Sequence, residues 1–200
     1  QLAFDDPRSA LFFEYLNILN HIKKVNPDVK FLLENVKMKK EYLDLISGLF
    51  GVKPELINSD LVSAQNRQRY YWANWRLTKP ANKSLYISDV AKDQKNIIDI
   101  NDRMKNVKGK CAKIKAFHKN VRTVNEKHKT VIAGGIRPAS SGGCHFKIND
   151  LWHMVTPIGA EQLQTIPANY TKHVSNTQRL KMIGNGWTVD VIAHIFRAMG

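Results

Sequence analysis

Three features are scarce in this 200-residue chain, and each scarcity excludes a class of protein. Cysteine occurs only at Cys111 and Cys144, so the chain has neither a disulfide framework nor a cysteine-rich metal site. No apolar run approaches the roughly 20 residues of a membrane-spanning helix, and no signal-peptide pattern is present. Together these absences favour a cytoplasmic protein in a reducing environment.

Acidic residues are scarce in one part of the chain. The net charge is +14, and residues 76–152 hold 17 Lys/Arg against 6 Asp/Glu, whereas the flanking parts are almost neutral. Clustered cations gain affinity for nucleic acid by releasing phosphate counterions, so this segment predicts a polyanion-binding module. The alternative is an ordinary solvated basic surface. The histidines of the segment show no metal-site spacing with cysteine, so no metal is expected.

Hydrophobic periodicity predicts alternating helices and strands before residue 76, which indicates an α/β fold with a doubly wound sheet. The predicted elements are a helix from Asp6-Pro7 to Asn26-Pro27, a strand Val29–Val36, a helix Glu41–Phe50 closed by Gly51, and strands Glu55–Val62 and Tyr70–Trp75. No Gly-rich loop follows any strand, so the first half of such a domain is expected to be missing from this chain.

The remainder changes character twice. Residues 77–152 predict a small, loop-rich, mostly β domain, with a flexible loop at residues 136–143. Helices are predicted again after Trp152. One begins at Thr156-Pro157, and a short one runs from Ser175 to Ile183 and is broken by Gly184-Asn185-Gly186.

Polar residues follow two of the predicted strands. Glu34 ends the apolar run that starts at Phe31, and Arg67 and Arg69 lead into an aromatic strand. Two residues apart in an extended segment, the arginines would share a face, and their planar donors suit a carbonyl or a phosphate oxygen. Taken alone, Glu34 could equally cap a loop or pair with a nearby arginine.

The order of these motifs resembles the DNA (cytosine-5)-methyltransferase family. The motifs are Asp-Pro-Arg-Ser-x-Leu-Phe-Phe-Glu, Glu-Asn-Val, Gln-x-Arg-x-Arg, a basic insert, Thr-Pro-x-x-x-Glu and Gly-Asn-Gly-x-x-Val. The stretch from Asn169 to His194 is also similar to the animal de novo DNA methyltransferases.

The resemblance implies the second half of a Rossmann-like methyltransferase sheet with an inserted target-recognition domain. Residues 1–75 would be the C-terminal half of the catalytic α/β domain, 76–152 the basic target-recognition domain, and 153–200 helices that return to the catalytic domain. The family's Phe-x-Gly-x-Gly cofactor loop and Pro-Cys-Gln nucleophile loop are both absent. The chain therefore resembles the part of the enzyme that follows the nucleophile loop.

The resemblance also implies roles for the three catalytic candidates. In this family a cysteine thiolate attacks C6 of a flipped-out cytosine, and C5 then takes the methyl group of S-adenosylmethionine. Glu34 matches the glutamate that holds N3 and the exocyclic amine, and it must be protonated at least transiently to donate at N3. Arg69 matches the arginine that grips O2. Arg67 matches its neighbour, which supports the nucleophile and the phosphate path.

Leu11 lies where the family lines the S-adenosylmethionine pocket, and Asn185-Gly186-Trp187 matches the segment that closes over the methionine part of that cofactor. Arg137, in the predicted loop, is a candidate for reading base edges in duplex DNA, although a phosphate contact is an equal alternative.

These matches predict a part of a DNA methyltransferase that is inactive alone. It would be a truncated chain, a pseudogene-like reading frame, or one half of a split enzyme whose partner is a complementing N-terminal polypeptide. The host would be prokaryotic or phage-like, with a possible restriction partner. The alternatives are a DNA-binding fragment without chemistry and, since a related branch of the family methylates transfer RNA, an RNA cytosine methyltransferase.

Overall fold

The computed structural model of the protein describes residues 7–102, 121–133 and 145–200, with backbone alone for residues 7–10. The chain forms two compact units. The first unit comprises residues 1–57 and 69–78, and the second comprises residues 58–68 and 79–198. The sequence-based division at residues 75 and 152 describes functional domains, and it stays a prediction.

The first unit contains the predicted helix–strand alternation. Its elements are α1 (Pro7–Val25), β1 (Leu32–Val36), α2 (Lys40–Phe50), β2 (Glu55–Asn58) and β3 (Gln68–Ala73). Gly51 closes α2 with φ of 69°, a left-handed conformation that glycine adopts without strain. The strand predicted to reach Val62 ends at Asn58, because the Asn58 side chain caps a short 3-10 helix, Ser59–Leu61.

Aromatic side chains fill the core of the first unit. Phe31 and Phe50 stack with ring centroids 5.4 Å apart, and the fully buried Trp72 donates from Nε1 to the Ser47 hydroxyl at 3.1 Å. Asn74 fixes the chain entering β1, since it accepts from Phe31 N at 3.0 Å and donates to the Val29 carbonyl at 2.8 Å. The start of β1 is thereby held against the residue that follows β3.

The first sheet has the strand order β1-β3-β2, and β1 pairs with β3 in antiparallel fashion. This pairing differs from the parallel one that a doubly wound sheet implies. Only residues 59–67 join β2 to β3, and a parallel crossover needs about a dozen residues or more. The short link therefore places an antiparallel strand between β1 and β2.

The second unit contains a small sheet of order β4-β7-β6-β5 covered by helices. Its elements are α3 (Ile87–Ala91), a 3-10 helix (Gln94–Asn96), β4 (Ile97–Asp99), β5 (Arg122–Thr123), β6 (His145–Ile148), β7 (Leu151–Val155), α4 (Pro157–Leu163), α5 (Asn176–Asn185) and α6 (Val189–Arg197). The strand pairings are antiparallel except for β5 with β6. Phe146, Leu163 and Ile183 lie at the centre of its core.

The predicted helix starts of this unit are confirmed by their capping bonds. The Thr156 hydroxyl accepts from Gly159 N at 3.2 Å at the start of α4, and the Ser175 hydroxyl accepts from Gln178 N at the start of α5. The break predicted at Gly184-Asn185-Gly186 is confirmed, since α5 ends at Asn185 and Gly186 follows as its C-terminal cap.

Some predictions fall outside the described residues: the Asp6 helix cap, both cysteines and the loop 136–143. Within the ranges that are described, no helix is long and apolar enough to cross a membrane.

Candidate active site

Glu34 and Arg69 form an ion pair in the first sheet, with Arg69 Nε 2.8 Å from Glu34 Oε1. Both side chains are largely buried, at 19% and 16% exposure. The pair follows from the strand register. Glu34 lies opposite Tyr71, and Arg69 opposite Val36, so all four side chains share one face of the β1–β3 ladder and Arg69 reaches Glu34 diagonally.

The other face of these strands anchors the pair. Leu33 is paired with Trp72 and packs into the aromatic core of the first unit. Because side chains alternate along a strand, burying Leu33 and Trp72 on one face fixes Glu34 and Arg69 on the opposite one. A one-residue slip in register would exchange the two faces, so the core determines where the charged pair lies.

Arg67 lies just before β3, which begins at Gln68, so it is not part of the ladder that carries Arg69. Arg67 belongs to the second unit, is 4% exposed, and donates to three backbone carbonyls. Its Nη1 bonds to Val131 O at 2.9 Å, and its Nη2 bonds to Gly184 O at 3.2 Å and Gly186 O at 2.9 Å. These bonds connect the end of α5 with the backbone at residue 131.

The remaining candidates are surface residues or lie outside the described ranges. In the first unit Leu11 projects from α1 with 74% of its side chain exposed. In the second unit Asn185 and Trp187 are exposed on either side of the half-buried Gly186. Arg137 lies outside the described residues.

The comparisons with known proteins converge on one family. The sequence model described as C-5 cytosine-specific DNA methylase matches residues 1–153 and 82–200, which together span the chain. The chain belongs to this family.

Solved structures show the same fold. The crystal structure of Schizosaccharomyces pombe (S. pombe) Dnmt2 methyltransferase is similar to this chain at a TM-score of 0.62 and 17% identity, covering 96% of this chain and 72% of that one. A Spodoptera frugiperda DNMT2 mutant gives a TM-score of 0.63 and 15% identity, covering 99% and 73%. The mixed α/β architecture with two sheets is thus that of the methyltransferase fold.

Within this cytosine methylase fold, the Thr-Pro-x-x-x-Glu motif has a role that sequence reasoning did not identify. Glu161 is fully buried, and its Oε1 accepts from Thr171 N at 2.9 Å, the Thr171 hydroxyl at 2.5 Å and Arg179 Nη2 at 3.0 Å. Asn169 N donates to Oε2 at 2.7 Å. The motif glutamate therefore organises the turn that leads into α5.

The pKa of Glu161 reflects this arrangement. Burial alone raises it, but the hydrogen bonds donated by Thr171, Arg179 and Asn169 outweigh burial and hold the pKa below its ordinary value. Glu161 is thus ionised in the folded protein and paired with Arg179, which is itself buried. Its role is structural, because the carboxylate is fully buried and accepts four hydrogen bonds from the turn and from α5.

Two buried glutamines were also missed by sequence reasoning. Gln65 and Gln164 are fully buried and bond to each other at 3.1 Å. Gln65 opens the Gln-x-Arg-x-Arg motif and Gln164 follows α4, so both stand beside recognised motif residues. Their local sequence does not predict burial, because Gln65 opens the polar run Gln-Asn-Arg-Gln-Arg and Gln164 stands in the polar run Glu-Gln-Leu-Gln-Thr. Among the described residues, no group of three or more His, Cys, Asp or Glu could hold a metal ion.

Proposed function

We propose that this chain is part of an enzyme that methylates C5 of a flipped-out cytosine in duplex DNA, with Glu34 and Arg69 holding the base. The observation that carries the proposal is the ion-paired, largely buried Glu34–Arg69 pair in a chain of the cytosine methylase family. A carboxyl group and a guanidinium group placed side by side can bond to both kinds of polar group on a cytosine. The carboxyl group can accept from the exocyclic amine, and the guanidinium can donate to O2.

The chemistry assigns each residue a task. Attack of a thiolate at C6 pushes electron density onto N3 and O2 of the ring, and donors placed there beforehand stabilise that charge. Arg69 is the permanent donor for O2. Glu34 holds the N3 and amino edge and delivers the proton at N3. The ion pair fixes both groups before the base arrives, so little reorganisation is needed in the transition state.

The residues around Gly186 are compatible with part of a binding site for S-adenosylmethionine, which would supply the methyl group. Trp187, 48% exposed, offers an aromatic surface, and Asn185 offers an amide to the methionine part. A Cβ at Gly186 would lie 3.2 Å from Met182 O, a tight contact, so this backbone suits glycine. The sequence contains no Phe-x-Gly-x-Gly motif, so the proposal is that this chain supplies part of the site.

An apolar stripe on α1 favours a complementing polypeptide as partner. Leu11, Ile18, Ile22 and Val25 fall within about 60° of one another around the helix, and each is exposed. Leu11, Ile18 and Val25 are 74%, 59% and 79% exposed, which is unusual for aligned large side chains. The occupant that we propose carries the Gly-rich and Pro-Cys loops that the sequence lacks, and it packs a helix or sheet face against this stripe.

Duplex DNA is the proposed substrate, because 11 of the 14 net positive charges lie in residues 76–152. A protein that extracts a base from a duplex must hold the backbone on both sides of the gap, which requires such a basic surface. Transfer RNA is the alternative substrate. Competition between labelled duplex DNA and unlabelled transfer RNA at fixed salt distinguishes them, and stronger displacement by RNA than by DNA would favour the alternative.

The test is complementation. The chain is mixed with a polypeptide carrying the Gly-rich and Pro-Cys loops, and transfer of labelled methyl from S-adenosylmethionine to duplex DNA is measured. We expect transfer by the mixture, none by the chain alone, and loss of transfer with retained DNA binding for Glu34→Gln. Glu41→Gln is the matched control, since that carboxylate lies on the surface of α2 beside Lys39. Methyl transfer by the Glu34→Gln mixture at the wild-type rate would contradict the proposal.

A non-catalytic DNA-binding fragment is the second candidate, and the same basic segment favours it. In that case the chain binds DNA with a steep salt dependence, whereas no complementing polypeptide produces transfer and Glu34→Gln changes nothing.

A further inference from the structure

The carbonyl of Gly186 accepts hydrogen bonds from two buried side chains. Arg67 Nη2 donates at 2.9 Å and Gln164 Nε2 at 3.3 Å. The same two side chains also bond to neighbouring carbonyls of α5, Arg67 to Gly184 O and Gln164 to Ile183 O. The last turn of the helix and the residue after it are therefore held by side chains that come from elsewhere in the second unit.

The same network holds the backbone of Val131 from both sides. Val131 N donates to Gln65 Oε1 at 2.7 Å, and Val131 O accepts from Arg67 Nη1 at 2.9 Å. Gly184 brings the two segments into direct contact, because a Cβ placed there would clash with Ile132 and Ala133 backbone atoms. Along the chain, Val131 lies six residues before Arg137, the candidate for reading base edges.

The side chains of the network also bond to one another. Gln65 Nε2 donates to Gln164 Oε1 at 3.1 Å, and the Thr188 hydroxyl donates to the same oxygen at 2.7 Å. Gln65, Gln164 and Thr188 are buried, as is Arg67. A buried network in which each amide and guanidinium group is satisfied is rigid, whereas a buried polar group that loses its partner is costly.

We propose that Gln65, Arg67 and Gln164 are positioning residues that mechanically link two functional segments. One segment is Asn185–Trp187, with two exposed side chains, and the other is Thr130–Ala133, within the predicted target-recognition domain. The functional meaning of the two segments rests on the proposed function, but the linkage itself does not. When cofactor binding orders Asn185–Trp187, the network also orders the backbone of Thr130–Ala133.

The test is residue-resolved amide hydrogen exchange on the full 200-residue chain, comparing Gln164→Met with wild type. Gln164 touches Gly186 but makes no hydrogen bond to Val131. The linkage predicts exchange faster by about fivefold or more at Val131 as well as at Gly186, since one lost hydrogen bond typically changes local opening by that factor. Thr171→Val is the matched control, a buried hydroxyl of the same unit outside the network. It should leave Val131 within about twofold of wild type.

A reciprocal variant makes the test independent of one substitution. Gln65 bonds to Val131 and Gln164 but makes no hydrogen bond to Gly186, so Gln65→Met should accelerate exchange at Gly186. Exchange at the far segment that stays within about twofold of wild type in either folded variant would overturn the linkage. The result is separable from the proposed function, because it requires neither cofactor nor DNA nor methyl transfer. If the complemented enzyme is inactive, the exchange result can still support the linkage. If the enzyme is active, the exchange result can still overturn the linkage.

Discussion

Replacing Glu161 with glutamine should destabilise the second unit by about 3–5 kcal/mol, the typical cost of removing one partner of a buried ion pair. The carboxylate accepts three donors on Oε1 and one on Oε2. A glutamine can keep an acceptor at one position only. Its NH2 group would then face a donor, and the buried Arg179 guanidinium would lose its counter-charge.

The control is Glu126→Gln. Glu126 pairs with Arg122 at 2.7 Å, but both side chains are about 40% exposed. Surface pairs of this kind contribute about 0–1 kcal/mol, because water screens them and their side chains lose entropy. Both substitutions replace a glutamate that is paired with an arginine by glutamine. They differ in whether that pair is buried or exposed.

The assay is urea unfolding followed by tryptophan fluorescence at several pH values. The folded-state pKa of Glu161 is lowered, so its contribution is fully present above the unfolded pKa and is lost as pH falls through the folded pKa. The stability difference between wild type and Glu161→Gln should therefore be largest near neutral pH and narrow below about pH 4.5. A difference at neutral pH no larger than that of Glu126→Gln, or one that does not narrow in acid, would refute this account of Glu161.

Two further predictions concern packing and charge. Gly184→Ala should destabilise the protein by about 1–3 kcal/mol, since the added Cβ would clash with the Ile132 carbonyl. Gly48→Ala in α2 places its Cβ in open space and should stabilise the protein by about 0.5–1 kcal/mol. Thermal unfolding of the two variants and of wild type measures both effects. DNA affinity should fall steeply with salt, with a log–log slope of about −0.9 per phosphate contacted, and binding that is insensitive to salt would contradict the role of residues 76–152.

The helices and strands of the first unit follow from local patterns, because their signals are local. Pro7 and Gly51 mark helix ends through the preferences of their own backbone dihedral angles, which do not depend on the rest of the fold. The antiparallel placement of β3 between β1 and β2 could not be predicted in this way. It depends on the short link of residues 59–67 and on which faces the core buries.

The candidate site was predictable in its residue types but only partly in its geometry. The adjacency of Glu34 and Arg69 requires the register that sets Glu34 opposite Tyr71, a long-range property. Arg67 was expected beside Arg69, yet its guanidinium bonds to carbonyls 64 to 119 residues away in sequence. Burial of Gln65 and of Glu161 likewise depends on segments far along the chain, so no window of sequence around them could predict it.

The most direct test of the central claim is the identity of the product. Duplex DNA methylated by the complemented chain is digested to nucleosides, and the labelled methyl group is located by mass spectrometry. The account predicts 5-methyldeoxycytidine from the complete mixture and none when Glu34 is replaced by glutamine. Labelled methyl on another base or another cytosine atom, or 5-methyldeoxycytidine formed at the wild-type rate by the Glu34→Gln mixture, would contradict it.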